Sequence, residues 1–176
     1  IGITVDQCYD VGRIQDVHFW PFWSIQDGVL DPNIAAYQAN NAFSFVFGRT
    51  DWEVVQDIFS FGYHVGALFQ ATTNGAMNGQ MTNVNFDNVD VGLDLYDTQF
   101  MAVHISNLNI ANAGAGNSRI GIWNHSTGST AELAVHNASF WGTLEQAVRW
   151  EKGGLLTLSD SRVVAWNDAK PAIEIL

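Results

Sequence analysis

Cysteine, positive charge and long apolar runs are what this chain has least of. Its one cysteine, Cys8, excludes an intrachain disulfide, and a lone thiol says nothing of the redox compartment. Val5 and Val11 nearby favour a buried, inert thiol. Seven Lys and Arg stand against eighteen Asp and Glu, giving a formal charge of −11. An acidic body repels phosphate backbones, which argues against nucleic acid and, more weakly, against a polyuronate substrate. No stretch approaches the ~20 apolar residues of a membrane helix, so no membrane partner is expected. Long helical patterns are absent as well. The 176 residues, 47% of them hydrophobic, suit one domain with an ample core.

What the chain does have is a repeat. A six-residue phrase recurs six times: I-Q-D-V-H-F from Ile14, V-Q-D-I-F-S from Val55, M-T-N-V-N-F from Met81, I-S-N-L-N-I from Ile105, V-H-N-A-S-F from Val135 and L-S-D-S-R-V from Leu158. Its third position is always Asp or Asn: Asp16, Asp57, Asn83, Asn107, Asn137 and Asp160, separated by 41, 26, 24, 30 and 23 residues. Such a period is the signature of a solenoid, whose units bury their apolar sides against their neighbours.

Between the phrases runs a second strand, entered through Gly or Ala. It reads G-I-T-V-D from Gly2, A-F-S-F-V from Ala42, G-A-L-F-Q from Gly66, G-L-D-L-Y from Gly92, G-I-W-N-H from Gly121, A-V-R-W-E from Ala147 and A-I-E-I-L from Ala172. Period-two alternation sends alternate side chains in and out. Each coil is thus a strand, a turn, a strand, a tight bend and a short strand, then a variable loop. Asn and Asp suit the bend because they tolerate left-handed backbone angles, and stacked at ~4.8 Å they can bond to one another. All six are structural. The longest interruption, residues 20–42, is an inserted loop in which Asp31 can cap a short helix with Pro32 in its first turn.

Coils with an Asn/Asp corner and inward Ile, Val, Leu and Phe resemble the right-handed parallel β-helix of the pectin-lyase-like superfamily. More narrowly, C-Y-D-V-G-R-I-Q-D-V-H-F-W-P-F-W (Cys8 to Trp23) and F-G-R-T-D-W-E-V-V-Q-D-I-F-S-F-G-Y (Phe47 to Tyr63) resemble segments of bacterial β-helix proteins labelled glycosyl-hydrolase or pectate-lyase related. The resemblance implies an all-β, single-stranded solenoid of about six and a half coils over residues 1–176. It also implies polysaccharide chemistry in a secreted or cell-surface setting, with a polysaccharide or oligosaccharide as partner. The N-T-D, D-D, G-H-G and R-I-K motifs of polygalacturonase-like enzymes are missing, and so are the W-V-D-H and R-x-P-x-x-R signatures of pectate lyases. Since strands run up to Gly2 and Leu176, the expectation is a fragment of a longer solenoid, completed by flanking coils or by a second copy.

Aligning the entry strands gives two outward columns. One reads Thr4, Ser44, Leu68, Asp94, Trp123, Arg149, Glu174; the next reads Asp6, Val46, Gln70, Tyr96, His125, Glu151, Leu176. Asp94 and Glu151 lie two coils apart, roughly 10 Å by strand spacing, near the upper end of the ~6.5–9.5 Å used by inverting glycosidases. His125 falls between them and can tune a proton transfer. Asp94, Glu151 and His125 are therefore the catalytic candidates, and Tyr96, Trp123 and Arg149 the substrate-binding ones. The competing account is a solvated face on which Glu151 pairs locally with Arg149 or Lys152. Trp20 and Trp23, which flank Pro21 at the start of the inserted loop, are further candidates for a sugar platform or else a cover over the core. Trp52 and Trp141 read as packing residues, and His64 has no evident partner.

The run D-N-V-D-V-G-L-D-L-Y-D supplies Asp87, Asp90, Asp94 and Asp97, the oxygens calcium prefers. Their spacing is no EF-hand, and a turn followed by a surface strand accounts for them, so no metal or other cofactor is assigned. The leading functional expectation is a glycoside hydrolase working by acid/base catalysis. Scarce Lys and Arg weigh against a polysaccharide lyase, which needs cations to stabilise its developing enolate. A non-catalytic spacer, adhesin or phage-tail-like fibre is the rival from another class.

Overall fold

The computed structural model describes residues 1–113, 119–125, 131–151, 153–166 and 170–176. Along the chain run β1 (Ile3–Val5), β2 (Arg13–Phe19), a 3-10 turn (Pro21–Ser24), α1 (Pro32–Asn41), β3 (Phe43–Phe47), β4 (Glu53–Phe61), β5 (Val65–Phe69), β6 (Gly79–Asp87) and β7 (Val91–Leu95). They continue with β8 (Val103–Asn112), β9 (Ile120–Asn124), β10 (Glu132–Gly142), β11 (Gln146–Trp150), β12 (Leu155–Ser159), β13 (Arg162–Val163) and β14 (Ile173–Ile175). Short and long strands alternate and every strand-to-strand ladder is parallel. The short ones stack in the order β1-β3-β5-β7-β9-β11-β14 and the long ones in the order β2-β4-β6-β8-β10-β12, with β13 also on β10. This is an all-β parallel solenoid of the right-handed β-helix type, with six full coils and a seventh short strand among the described residues.

Each long strand folds at its Asp or Asn. Asp16, Asp57, Asn83, Asn107, Asn137 and Asp160 have φ of 57°, 54°, 54°, 58°, 55° and 50°, the left-handed region these residues tolerate. Their amides run as a one-way ladder. Asn137 Nδ2 donates to Asn107 Oδ1 at 2.7 Å, Asn107 Nδ2 to Asn83 Oδ1 at 3.0 Å, and Asn83 Nδ2 to Asp57 Oδ1 at 2.7 Å. The core lies inside the coils, where Phe45, Phe69, Phe86, Leu93, Ile105, Leu108 and Phe140 are fully buried. Phe47 and Phe69 stack in successive coils, 5.5 Å between centroids and 15° between planes.

The glycine entry has a steric cause. A Cβ on Gly66 would lie 2.6 Å from the Gly92 carbonyl oxygen and 2.7 Å from the Phe86 ring, and Gly92 and Gly121 meet the same obstruction one coil further on. Ser44 occupies this column in β3, since Ile3 pairs with Phe45. It is fully buried, with its hydroxyl hydrogen-bonded to that of Ser60. The inserted loop holds α1, whose N-cap Asp31 accepts from the Asn33 and Ile34 amides at 2.9 and 3.3 Å. No helix among the described residues is long and apolar enough to cross a membrane.

Candidate functional site

The outward columns of the short strands keep their expected parity, but the second coil shifts by two. Thr4 pairs with Val46, and the column runs Thr4, Val46, Leu68, Asp94, Trp123, Arg149, Glu174. Val46 therefore replaces Ser44 in the first column, and Gly48 replaces Val46 in the second. The misreading arose because Ser44 takes the place of the usual entry glycine. From Leu68 onward the alignment stands, so Asp94, Trp123 and Arg149 occupy one row of three coils. Tyr96, His125 and Glu151 follow two residues after them.

These six side chains form a connected cluster. His125 Nε2 lies 2.5 Å from Asp94 Oδ1. The imidazole stacks on Trp123 at 4.5 Å and 19°, and the Tyr96 ring lies tilted against it at 4.2 Å and 46°. The Arg149 guanidinium lies 5.5 Å from the Trp123 ring centre, a cation–π distance, while its Nη2 holds Glu151 Oε1 at 2.5 Å. Burial pushes the Asp94 carboxyl above its ordinary pKa, and the nearby His125 and His64 only partly offset this. Burial also raises the Tyr96 phenol, with the Asp94 charge adding to it. The Trp123 indole nitrogen is buried, with no hydrogen-bond partner among the described residues.

The face beside this cluster is apolar. Val46, Val65, Leu68 and Val91 pack together against Phe43 and Trp123. Next to it His64, for which the sequence suggested no partner, bonds through Nδ1 to Asp90 Oδ2 at 3.0 Å, and Arg119 Nε approaches the other Asp90 oxygen at 3.6 Å. Among the described residues no three His, Cys, Asp or Glu side chains converge as metal ligands, so Asp87, Asp90, Asp94 and Asp97 make no calcium cage.

The two tryptophans of the inserted loop sit elsewhere. Trp20 packs edge-on to His18, Phe22 and Phe59, and Trp23 is highly exposed, lining a cavity of about 430 Å³ with Ile34, Tyr37 and Tyr63. The sequence readings of Trp52, Trp141 and Cys8 need correcting. Trp52 and Trp141 are about half exposed, at 51% and 48%, rather than packed: Trp52 projects from a left-handed turn before β4, and Trp141 from the outer side of β10. Cys8 is half-buried rather than enclosed, in an open turn where its Sγ faces the Asp10 carbonyl at 3.8 Å. Glu53, which sequence reasoning passed over, points inward and is 1% exposed, in the same column as Gly79 and the core residue Val103.

Comparison with protein-family models, with curated proteins and with solved structures finds no match to this chain. The solenoid is established by its own pairing, and the likeness to the pectin-lyase-like superfamily rests on fold and sequence pattern.

Proposed function

We propose that this is an extracellular carbohydrate-active β-helix protein, acting on a polysaccharide at the outer face of the short strands. The observation that carries the reading is the Asp94–His125 contact, flanked by Tyr96 and Trp123. Planar rings offer sugar a face, and burial raises the Asp94 carboxyl, which favours the protonated form a general acid requires. Environments that set two carboxyl groups apart assign the acid and the base. Asp94, buried and raised, is the acid. Glu151, two coils from Asp94 and oriented by the adjacent Arg149, is the base that activates water. Two strand spacings and a two-residue offset separate their backbone positions by roughly 12 Å, so the inverting geometry requires the two side chains to lean toward each other across the Trp123 coil. His125, held by Asp94, positions the acid and relays its proton. With Arg149 already engaged by Glu151, elimination through a stabilised enolate is the less favoured chemistry.

One observation favours a non-catalytic scaffold instead: Asp94, Glu151 and Asp90 are all engaged by neighbouring side chains, and the adjoining columns are apolar and buried. A depolymerisation panel of soluble polysaccharides separates the two, read by reducing ends and by unsaturated products. For the enzyme, Asp94→Asn and Glu151→Gln each lower the rate about 100-fold or more while the variants remain folded. No product from any polymer would leave the scaffold, a spacer or fibre segment, as the standing account.

A further inference from the structure

The long strands present a second outward face that the proposed chemistry does not use. Before each Asp/Asn bend, their side chains form two columns across the coils. Val54, Gln80, His104 and Ala134 are paired in one, and Gln56, Thr82, Ser106 and His136 in the other. Two cavities, of about 280 and 530 Å³, lie along this face and share Val54, Gln80 and His104. Together they cross four coils, about 14 Å at three strand spacings.

The composition of this groove is selective. In a chain of net charge −11, its lining has no Asp, Glu, Lys or Arg. Arg13 stands at one end, paired in register with Val54. The floor offers amides, hydroxyls and imidazoles at the coil spacing, and Gln80, His104, Ser106 and His136 are all exposed. His104 Nε2 is steadied by the Met101 carbonyl at 3.2 Å, and His136 Nδ1 by Ser159 Oγ at 2.6 Å.

At the groove's edge stands Trp52. Its φ of 58° is a left-handed angle that a bulky residue rarely takes. The conformation is held by its backbone N–H, which donates to Asn78 Oδ1 at 3.0 Å. The indole is thereby turned out beside Val11 and Met101 and lines the groove. An exposed indole at one side, and a ladder of uncharged hydrogen-bonding groups beside it, match a neutral, hydroxyl-rich chain with flat apolar ring faces. A polyanion would find no cation along the floor, and an apolar partner would leave its amides unpaired.

We infer that this groove binds a neutral polysaccharide strand along the solenoid axis, with Trp52 as its stacking platform and Gln56, Gln80, His104 and His136 as its hydrogen-bonding row. The ligand class follows from this lining alone, so the inference stands whether or not the Asp94 face is catalytic.

Native affinity electrophoresis tests it, in gels containing dextran, galactomannan or mixed-linkage β-glucan, with polygalacturonate as the charged control. At least one neutral polymer retards the protein. Trp52→Ala weakens that retardation tenfold or more, and Gln80→Ala several-fold. Should Trp52→Ala lower the melting temperature, Gln80→Ala and Gln56→Ala, at exposed and half-buried strand positions, carry the test. Retardation by no neutral polymer overturns the inference. So does retardation by polygalacturonate alone, or full binding in both Trp52→Ala and Gln80→Ala. A dimer in sedimentation that Trp52→Ala dissociates would make the groove a contact between copies, and would equally overturn it.

Discussion

Asp94 Oδ1 and His125 Nε2 meet at 2.5 Å across two successive coils, with the carboxylate about one-tenth exposed. Burial dominates and raises the Asp94 pKa above 3.8 despite the imidazole. The native state therefore keeps the proton over a range in which the unfolded chain has released it. Because the native state binds more protons there, stability falls as pH rises through that range. Asp94→Asn removes this contribution and keeps an oxygen for His125. Its melting temperature, relative to the parent, is expected to climb as pH goes from about 3.5 towards neutrality. Parallel melting curves at every pH would show that the Asp94 carboxyl is not strained by burial.

The amide ladder has a direction, and its carboxylate at Asp160 interrupts it. Each Asn donates toward the N-terminal coils, so Asn107 both gives to Asn83 and takes from Asn137. Asp160, the next corner, has no N–H to offer Asn137. Asp160→Asn supplies that donor and is expected to stabilise the protein by about 1 kcal/mol in chemical denaturation. Asn107→Ala breaks two bonds and places a side chain that resists left-handed angles at φ 58°. About 2–3 kcal/mol of destabilisation is expected, combining the lost bonds with the backbone strain. An unchanged midpoint in Asn107→Ala would mean that the ladder is ornamental.

These corners were readable from sequence because the requirement is local: one backbone angle, met by the same residue types once per coil. Register was less so. Ser44 takes the place of the entry glycine because its hydroxyl finds Ser60, and that partner is visible only once coils are stacked. The same holds for His64, whose Asp90 lies 26 residues away. Arg149 and Glu151, two residues apart at the end of β11, were within reach of sequence reasoning. The exposure of Trp52 was not, since it depends on a left-handed turn made by a residue type that gives no hint of one.

That turn offers its own test. Val11, Trp52 and Ala102 have φ of 37°, 58° and 67°, although none is glycine, asparagine or aspartate. A left-handed L-residue costs about 1–2 kcal/mol. Ala102 contributes only a methyl group to the cavity edge, so Ala102→Gly relieves the strain with little lost packing. The expected gain is about 0.5–1 kcal/mol, after the greater entropy of glycine in the unfolded chain is subtracted. A loss of stability instead would place Ala102 outside the left-handed region in solution.

Glu53 sets a steric constraint that a double-mutant cycle can measure. Its carboxylate lies inside the coil, taking a 2.8 Å hydrogen bond from Thr50 Oγ1, and burial raises its pKa. The space it occupies exists because residue 12 is glycine: a Cβ there would fall 1.9 Å from Glu53 Oε2. Gly12→Ala forces that carboxylate to move within a closed interior and is expected to cost about 1–3 kcal/mol, as overpacking does. Glu53→Ala removes the obstruction, along with a desolvated acid. The two changes touch the same space, so the double variant is expected to be more stable than the sum of the singles predicts, by about 1–2 kcal/mol. Additive effects would mean that the Glu53 side chain does not lie against residue 12. The inward carboxyl would then have to be sought on the other side of its coil.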